Sequence, residues 1–302
     1  MDKRPLATSK NTRCSRVINL RSETAKGYAL SAPATLYVGF LVAAPLAILI
    51  AYSFWTQTYV TLDKTLTLQN YRDALADPLV RHLLLRSIMI AGAVTAVTVA
   101  TAYPIAYFIA MKANKKTIWL LLITIPFWSS YLLRVFAWKL ILGFNGVMNS
   151  ALLWMGLIDE PLTFLLYNEF AVVLTLAHAW APFAILPIYV SLQKIDPSLL
   201  EAATDLGNSK FQAFRRVTLP LTIPGIIAAC LIIFIPTVGD YVTPSLVGGS
   251  DGKMIANLIQ VQFGAANNWP LGATLSLMAM LSVGFVAIVL VITGTALGKR
   301  IR

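Results

Sequence analysis

The segment Asp196–Gly225, DPSLLEAATDLGNSKFQAFRRVTLPLTIPG, is a polar interruption between two long hydrophobic runs, and its reading decides how the chain is laid out. Asp196 can accept a backbone N–H as an N-cap, and Pro197 suits a first helical position, where no donor is needed. Leu199, Leu200, Ala203 and Leu206 recur at three- and four-residue spacing, so the predicted helix has one apolar face. Gly207 is placed to end it, because glycine adopts the left-handed conformation of a helix C-terminus without strain. Ser209 followed by Gln212 reads as a capping box for a second short helix, with Phe211, Phe214 and Val217 along one side. The expectation is a bent pair of short helices between two spans, a shape suited to docking in a cleft. An amphipathic connecting helix lying on a bilayer would share the periodicity.

Outward from this loop the chain is membrane. Its 302 residues are 58% hydrophobic and 12% charged, whereas soluble domains carry about 25% charged residues. The mean hydropathy is +0.72. Apolar runs at about 34–54, 84–111, 118–140, 170–193, 222–243 and 271–297 are near or beyond the roughly 20 residues that cross a bilayer. The predicted fold is therefore all-α, a polytopic membrane protein with six transmembrane helices. Residues 1–30 read as a disordered basic cytoplasmic tail and 31–302 as a transmembrane domain, with the polar loop at 194–221. A basic segment before an apolar one also fits a cleaved signal peptide; the length of the first run favours an uncleaved helix.

Orientation follows from Lys and Arg, which are retained on the cytoplasmic side of spans. The tail holds seven, the connection after span two three (Lys112, Lys115, Lys116), the organising loop four (Lys194, Lys210, Arg215, Arg216) and the C-terminus three. The opposite side holds five, Lys64, Arg72, Arg81, Arg86 and Lys253. Both termini and the loop are thus expected in the cytoplasm. Outside lie Asp63, Asp73, Asp77, Asp159, Glu160, Glu169 and Asp251. A net charge of +11 distributed this way argues against nucleic acid, whose recognition needs a basic stripe on a folded polar surface.

Catalytic and metal chemistry find no foothold. Cys14 and Cys230 lie in a basic tail and an apolar run, and His82 and His178 have no Cys or His spaced near them. No GxxxxGK[ST] motif occurs, so ATP is not expected to bind this chain through a Walker A loop. Inside the spans, Pro104 in Tyr103-Pro104 is expected to kink span two. Arg134 within span three reads either as a functional charge or as a side chain snorkelling to the outer interface beside Trp138 and Lys139. The external stretch from Gly143 to Glu169 has an apolar middle, which fits a surface helix or a lid. In span five, Pro236-Thr237-Val238-Gly239-Asp240-Tyr241-Val242-Thr243-Pro244 sets helix breakers around one carboxylate. Irregular backbone at membrane depth survives only where protein or a cavity covers it, so Asp240 and Tyr241, with Arg134, Phe263 and Trp269, are the candidates to face a substrate path.

Glu201-Ala202-Ala203, three residues, Gly207, nine residues, then Val217-Thr218-Leu219-Pro220 resembles the EAA signature of bacterial ABC importer permeases, with Val217 where Ile is usual. The resemblance implies the type I permease fold, a coupling helix seated in a groove of a cytoplasmic ABC ATPase dimer, a second homologous permease subunit and a periplasmic substrate-binding protein. Glu201, Ala202, Ala203 and Asp205 would make the docking helix, Gly207 the bend, and Leu219-Pro220 the lead into the next span. Cofactors are none in this chain, ATP and Mg being bound by the partner ATPase. Tyr103-Pro104, Pro126-Phe127-Trp128, Leu133-Arg134-Val135-Phe136-Ala137-Trp138, Leu186-Pro187-Ile188-Tyr189 and Phe234-Ile235-Pro236-Thr237-Val238-Gly239-Asp240-Tyr241 are similar to phrases of the first permease of spermidine/putrescine importers. That implies polyamine transport across the bacterial inner membrane, with opines, phosphonates, ferric iron or thiamine as the cargo of related permeases. A secondary transporter or channel would carry more charges deep in several spans, and a membrane enzyme would need convergent catalytic groups.

Overall fold

The computed structural model describes residues 20–59 and 61–301, in two compact units, Met1–Ala51 and Tyr52–Arg302. The first unit is described through α1, Leu20–Ser53, a helix carrying Pro33 and Pro45. The expected tail is shortened accordingly: residues 1–19 lie outside the described residues, but residues 20–30 are helical. Leu20, Arg21, Glu23, Ala25 and Lys26 are good helix formers, and no proline interrupts them before Pro33.

The second unit opens with a short departure from all-α structure, a hairpin of β1, Thr56–Thr58, and β2, Thr61–Asp63. A small helix α2, Gln69–Ala76, leads into α3, Pro78–Met111. The start of α3 is set locally: Asp77 Oδ1 accepts the Leu79 N–H at 2.8 Å and Pro78 takes the first turn. At 34 residues the helix is about 51 Å long, more than the roughly 30 Å of hydrocarbon. It therefore begins six residues before the expected apolar run.

Span three is not the single helix expected over 118–140. It is α4, Lys116–Thr124, a 3₁₀ turn Ile125–Trp128, a break at Ser129 and Ser130, then α5, Tyr131–Leu142. Pro126 cannot donate into the helical ladder, and Ser129 is extended at ψ 150°. Beyond it α6, Val147–Trp154, is pinned by Asn149 and, with α5, makes up the third candidate span. Asn149 is fully buried; its amide donates to the Phe144 and Leu162 carbonyls at 3.1 and 3.2 Å and accepts from Leu162 N–H at 2.9 Å.

The remaining elements are α7, Glu169–Gln193; α8, Pro197–Asp205; α9, Lys210–Ala213; a wide π turn, Phe214–Thr218; α10, Leu219–Val238; α11, Val242–Val247; α12, Ile255–Phe263; and α13, Trp269–Ile301. Six candidate membrane spans are present among the described residues. The core is α3 against α7 and α10, filled by Val94, Ile109, Leu176, Ile188 and Ile233. Ala102, Ala106, Ala184 and Ala229 are buried there, and small residues let backbones approach closely where lipid removes the hydrophobic drive between helices. A second cluster joins α3, α10, α12 and α13 through Leu83, Phe234, Val238, Ile255 and Leu275. Several buried hydroxyls are satisfied within their own helices: Thr95, Thr98 and Thr237 each donate to the carbonyl four residues back, at 2.6–2.7 Å. Arg86 pairs with Glu169 at 3.2 Å, tying α3 to α7.

Candidate functional site

Two places combine irregular backbone with exposed or polar groups, the bent loop and a pair of helix breaks. The loop folds as its local chemistry dictates. Asp196 Oδ1 accepts the Ser198 N–H at 2.9 Å and caps α8. That backbone hydrogen bond holds the Asp196 carboxyl below the usual carboxylate range. At the other end Gly207 has φ +81°, its N–H donates to Thr204 O at 2.9 Å, and Asn208 N–H donates to Ala203 O at 3.1 Å. This is the paired closure of a Schellman motif. The Ser209–Gln212 capping box is reciprocal, at 2.8 and 3.3 Å. Arg216 Nη1 then donates to Asn208 Oδ1 at 2.8 Å, tying the second arm back onto the bend.

The apolar faces are arranged differently from the sequence expectation. On α8 only Ala203 is buried, at 7% exposure; Leu206 is 83% exposed, and Glu201, Ala202 and Asp205 also face outward. On the second arm Phe211 is 71% exposed, whereas Phe214 turns inward and Val217 is half-buried. Phe214 meets Tyr103 and Tyr107 of α3 edge-on, with centroids 5.9 and 5.8 Å away. The loop is thereby keyed into span two, beside Pro104. Pro220 is buried and Leu219 half-buried, so the lead into α10 belongs to the helix packing.

The second place lies where the break of span three meets the break between α10 and α11. Gly239 ends α10, and Asp240 Oδ1 accepts the Val242 N–H at 3.0 Å at the start of α11. Tyr131, the first residue of α5, donates its hydroxyl to Asp240 Oδ2 at 2.7 Å and stands 2.5 Å from Thr243 Oγ1. Tyr131 and Thr243 were not among the sequence candidates, and neither residue alone signals a partner more than a hundred positions away. A groove of about 500 Å³ adjoins this point between α10, α12 and α13, lined by Val238, Tyr241, Ile259, Gln260, Ser276 and Met280 among others. Phe263 and Trp269 meet edge-on at 5.6 Å, and Phe263 lies one turn beyond Ile259 on α12.

Arg134 stands apart from the groove. Its guanidinium carbon lies 5.6 Å from the Phe127 ring centroid, across the break. Helical side chains lean toward the N-terminus of their helix, which carries Arg134 back toward the break rather than out to Lys139. Trp138 Nε1 donates to His178 Nδ1 at 3.1 Å. Of the sequence-predicted residues the structure thus places Tyr241 in the groove lining and Asp240 next to it in the chain, while Phe263 and Trp269 pack on each other outside that lining and Arg134 sits beside Phe127.

Comparison with known proteins accounts for this architecture. Residues 75–302 match the family described as binding-protein-dependent transport system inner membrane component. The chain is 37% identical over 270 residues to the spermidine/putrescine transport system permease protein PotB of Escherichia coli (strain K12), covering 88% of this chain and 98% of that protein. It is 36% identical to the Haemophilus influenzae PotB over 79% of this chain and 83% of that one. It is 34% identical to the inner membrane ABC transporter permease protein YdcU of Escherichia coli, over 82% and 83%. Among solved structures, a bacterial ABC transporter involved in the import of the acidic polysaccharide alginate aligns over 95% of this chain and 99% of its own, with TM-score 0.69 at 16% identity. The inward-facing MetNI methionine ABC transporter aligns over 73% and 95%, with TM-score 0.52 at 14% identity. The relatives are transport components rather than enzymes, and the chain belongs to the family of binding-protein-dependent transport system inner membrane components, as a multi-pass ABC importer permease.

Proposed function

We propose that this permease moves polyamines of the putrescine and spermidine class inward, driven by ATP hydrolysis on separate subunits. The observation that carries the reading is the 37% identity, over nearly the whole length of both chains, to permeases named for those substrates. The carboxylate of Asp240, between the groove-lining residues Gly239 and Tyr241, is consistent with a cationic cargo. In this reading Asp240 and Tyr241 contact the substrate, with Phe263 and Trp269 offering aromatic faces to its ammonium groups and methylene chain.

The bent loop is the docking element for a cytoplasmic ATPase dimer. Exposed Leu199, Leu206 and Phe211 would enter its groove, with Glu201 and Asp205 alongside. Movement there passes through Phe214 to span two and through Leu219-Pro220 to α10. A second homologous permease completes the membrane core, and a periplasmic binding protein delivers cargo. ATP and Mg are bound by the ATPase subunits. The Lys and Arg distribution supports a cytoplasmic position for both termini and the loop.

The test is ATP-dependent uptake of labelled putrescine and spermidine in proteoliposomes holding the whole importer and its binding protein. Unlabelled opine, phosphonate, ferric iron and thiamine are added as competitors. Saturable polyamine uptake suppressed only by polyamines is the expected outcome. Transport of one of the competitors in place of polyamines overturns the substrate and leaves the family intact.

A further inference from the structure

We infer that Tyr131 is the positioning residue of the cation site, a neutral place-holder whose hydroxyl occupies Asp240 and ties two broken spans together until an ammonium group displaces it. The inference rests on the proposed role of Asp240 toward a cationic cargo and adds how the site reports its occupancy.

Three observations carry it. Both oxygens of the Asp240 carboxylate already hold a neutral donor, Val242 N–H on Oδ1 at 3.0 Å and Tyr131 O–H on Oδ2 at 2.7 Å. The first donor is backbone of the same turn and stays with it; the second comes from a different span. Tyr131 is the first residue of α5, immediately after the Ser129–Ser130 break, and Asp240 lies between α10 and α11. The contact therefore joins the two least regular points of spans three and five, where no backbone ladder holds the halves in line. Third, Asp240 is only half-buried, and its chain neighbours Gly239 and Tyr241 line the open groove, so the carboxylate is not sealed in the core.

Charge decides which donors can compete. The phenol brings no charge of its own, whereas an ammonium adds the attraction of a full positive charge to its hydrogen bond, so it can replace the phenol on Oδ2 where a neutral hydroxyl cannot. The freed Tyr131 hydroxyl keeps Thr243 Oγ1, 2.5 Å away, as a partner and is not orphaned. Release uncouples α5 from the top of α10. The bottom of α10 is continuous with the π turn and the docking loop, so occupancy is felt where the ATPase sits.

The experiment measures ATP hydrolysis and putrescine uptake by the complete importer carrying Tyr131→Phe, Asp240→Asn or both. The substrate-free hydrolysis rate is expected to rise roughly tenfold in each single variant, the scale of one lost hydrogen bond to a charged group. The double variant should rise no further, because both changes remove the same contact. Putrescine-loaded binding protein should stimulate Tyr131→Phe little beyond its raised basal rate. Uptake should persist in Tyr131→Phe and fail in Asp240→Asn. Unchanged substrate-free hydrolysis in both single variants overturns the inference, and if Asp240→Asn still loses uptake the polyamine reading stands without it. Raised hydrolysis with normal putrescine uptake in Asp240→Asn overturns displacement by ammonium. Should Asp240→Asn fail to assemble, Thr243→Val paired with Tyr131→Phe completes the cycle, with Tyr131→Phe still required to raise the substrate-free rate.

Discussion

At Gly225 the packing leaves no room for a side chain: a Cβ there would stand 2.7 Å from the Pro187 carbonyl oxygen of the neighbouring helix. Backbone cannot move aside as a flexible side chain can. Gly225→Ala is expected to destabilise the protein by roughly 1–3 kcal/mol, the usual range for overpacking a well-filled interior. A lowered thermal midpoint in detergent checks it, with Gly284→Ala, which meets nothing within 4 Å, as the neutral control. Residues differ in how legible they are for the same physical reason. Gly207 could be read in advance because its positive φ answers a local need, the end of a helix. Gly225 could not, since its constraint comes from α7. Asp240 was half legible: the helix breakers around it are sequential neighbours, but its hydroxyl partner belongs to another span.

Among the elements, the bent loop was read almost completely, because caps and turns are made by residues within four positions of each other. What the periodicity missed was direction. Leu199, Leu206 and Phe211 face out, and the buried positions are Ala203 and Ala213. An apolar stripe reports that a face is to be covered, not by what. If an ATPase covers it, reversing charge at its edge breaks the fit: Glu201→Lys should lower uptake by at least about tenfold, with normal insertion, since a like-charge contact at an interface costs several kcal/mol. Normal ATP-driven uptake by that variant would remove the loop from the coupling mechanism. The α6 segment makes a different prediction. Asn149→Leu leaves the Leu162 N–H and the Phe144 and Leu162 carbonyls without their Asn149 partner, a loss of roughly 2–3 kcal/mol. Faster proteolytic cleavage between residues 155 and 165 from the outer side is the measurement. Span three was misread as one helix because hydropathy does not register a break: Ile125-Pro126-Phe127-Trp128 is as apolar as the helices beside it.

For the whole molecule, orientation is the property to test. With both native cysteines replaced, a cysteine at Ser250 should react with a membrane-impermeant maleimide from the outside, and one at Asn208 only after the membrane is opened. The reverse pattern would invert the topology and move the docking loop away from the cytoplasm. Composition, the six apolar runs, the Lys and Arg asymmetry and the capped loop were determined by the sequence alone. Each depends on transfer free energies or on hydrogen bonds within one turn of chain, which are properties of short segments. The break in span three, the seating of Phe214 between Tyr103 and Tyr107, and the bond from Tyr131 to Asp240 were decided only in the tertiary structure. They depend on which helices are neighbours, and that follows from packing small residues of α3, α7 and α10 against one another across long stretches of chain.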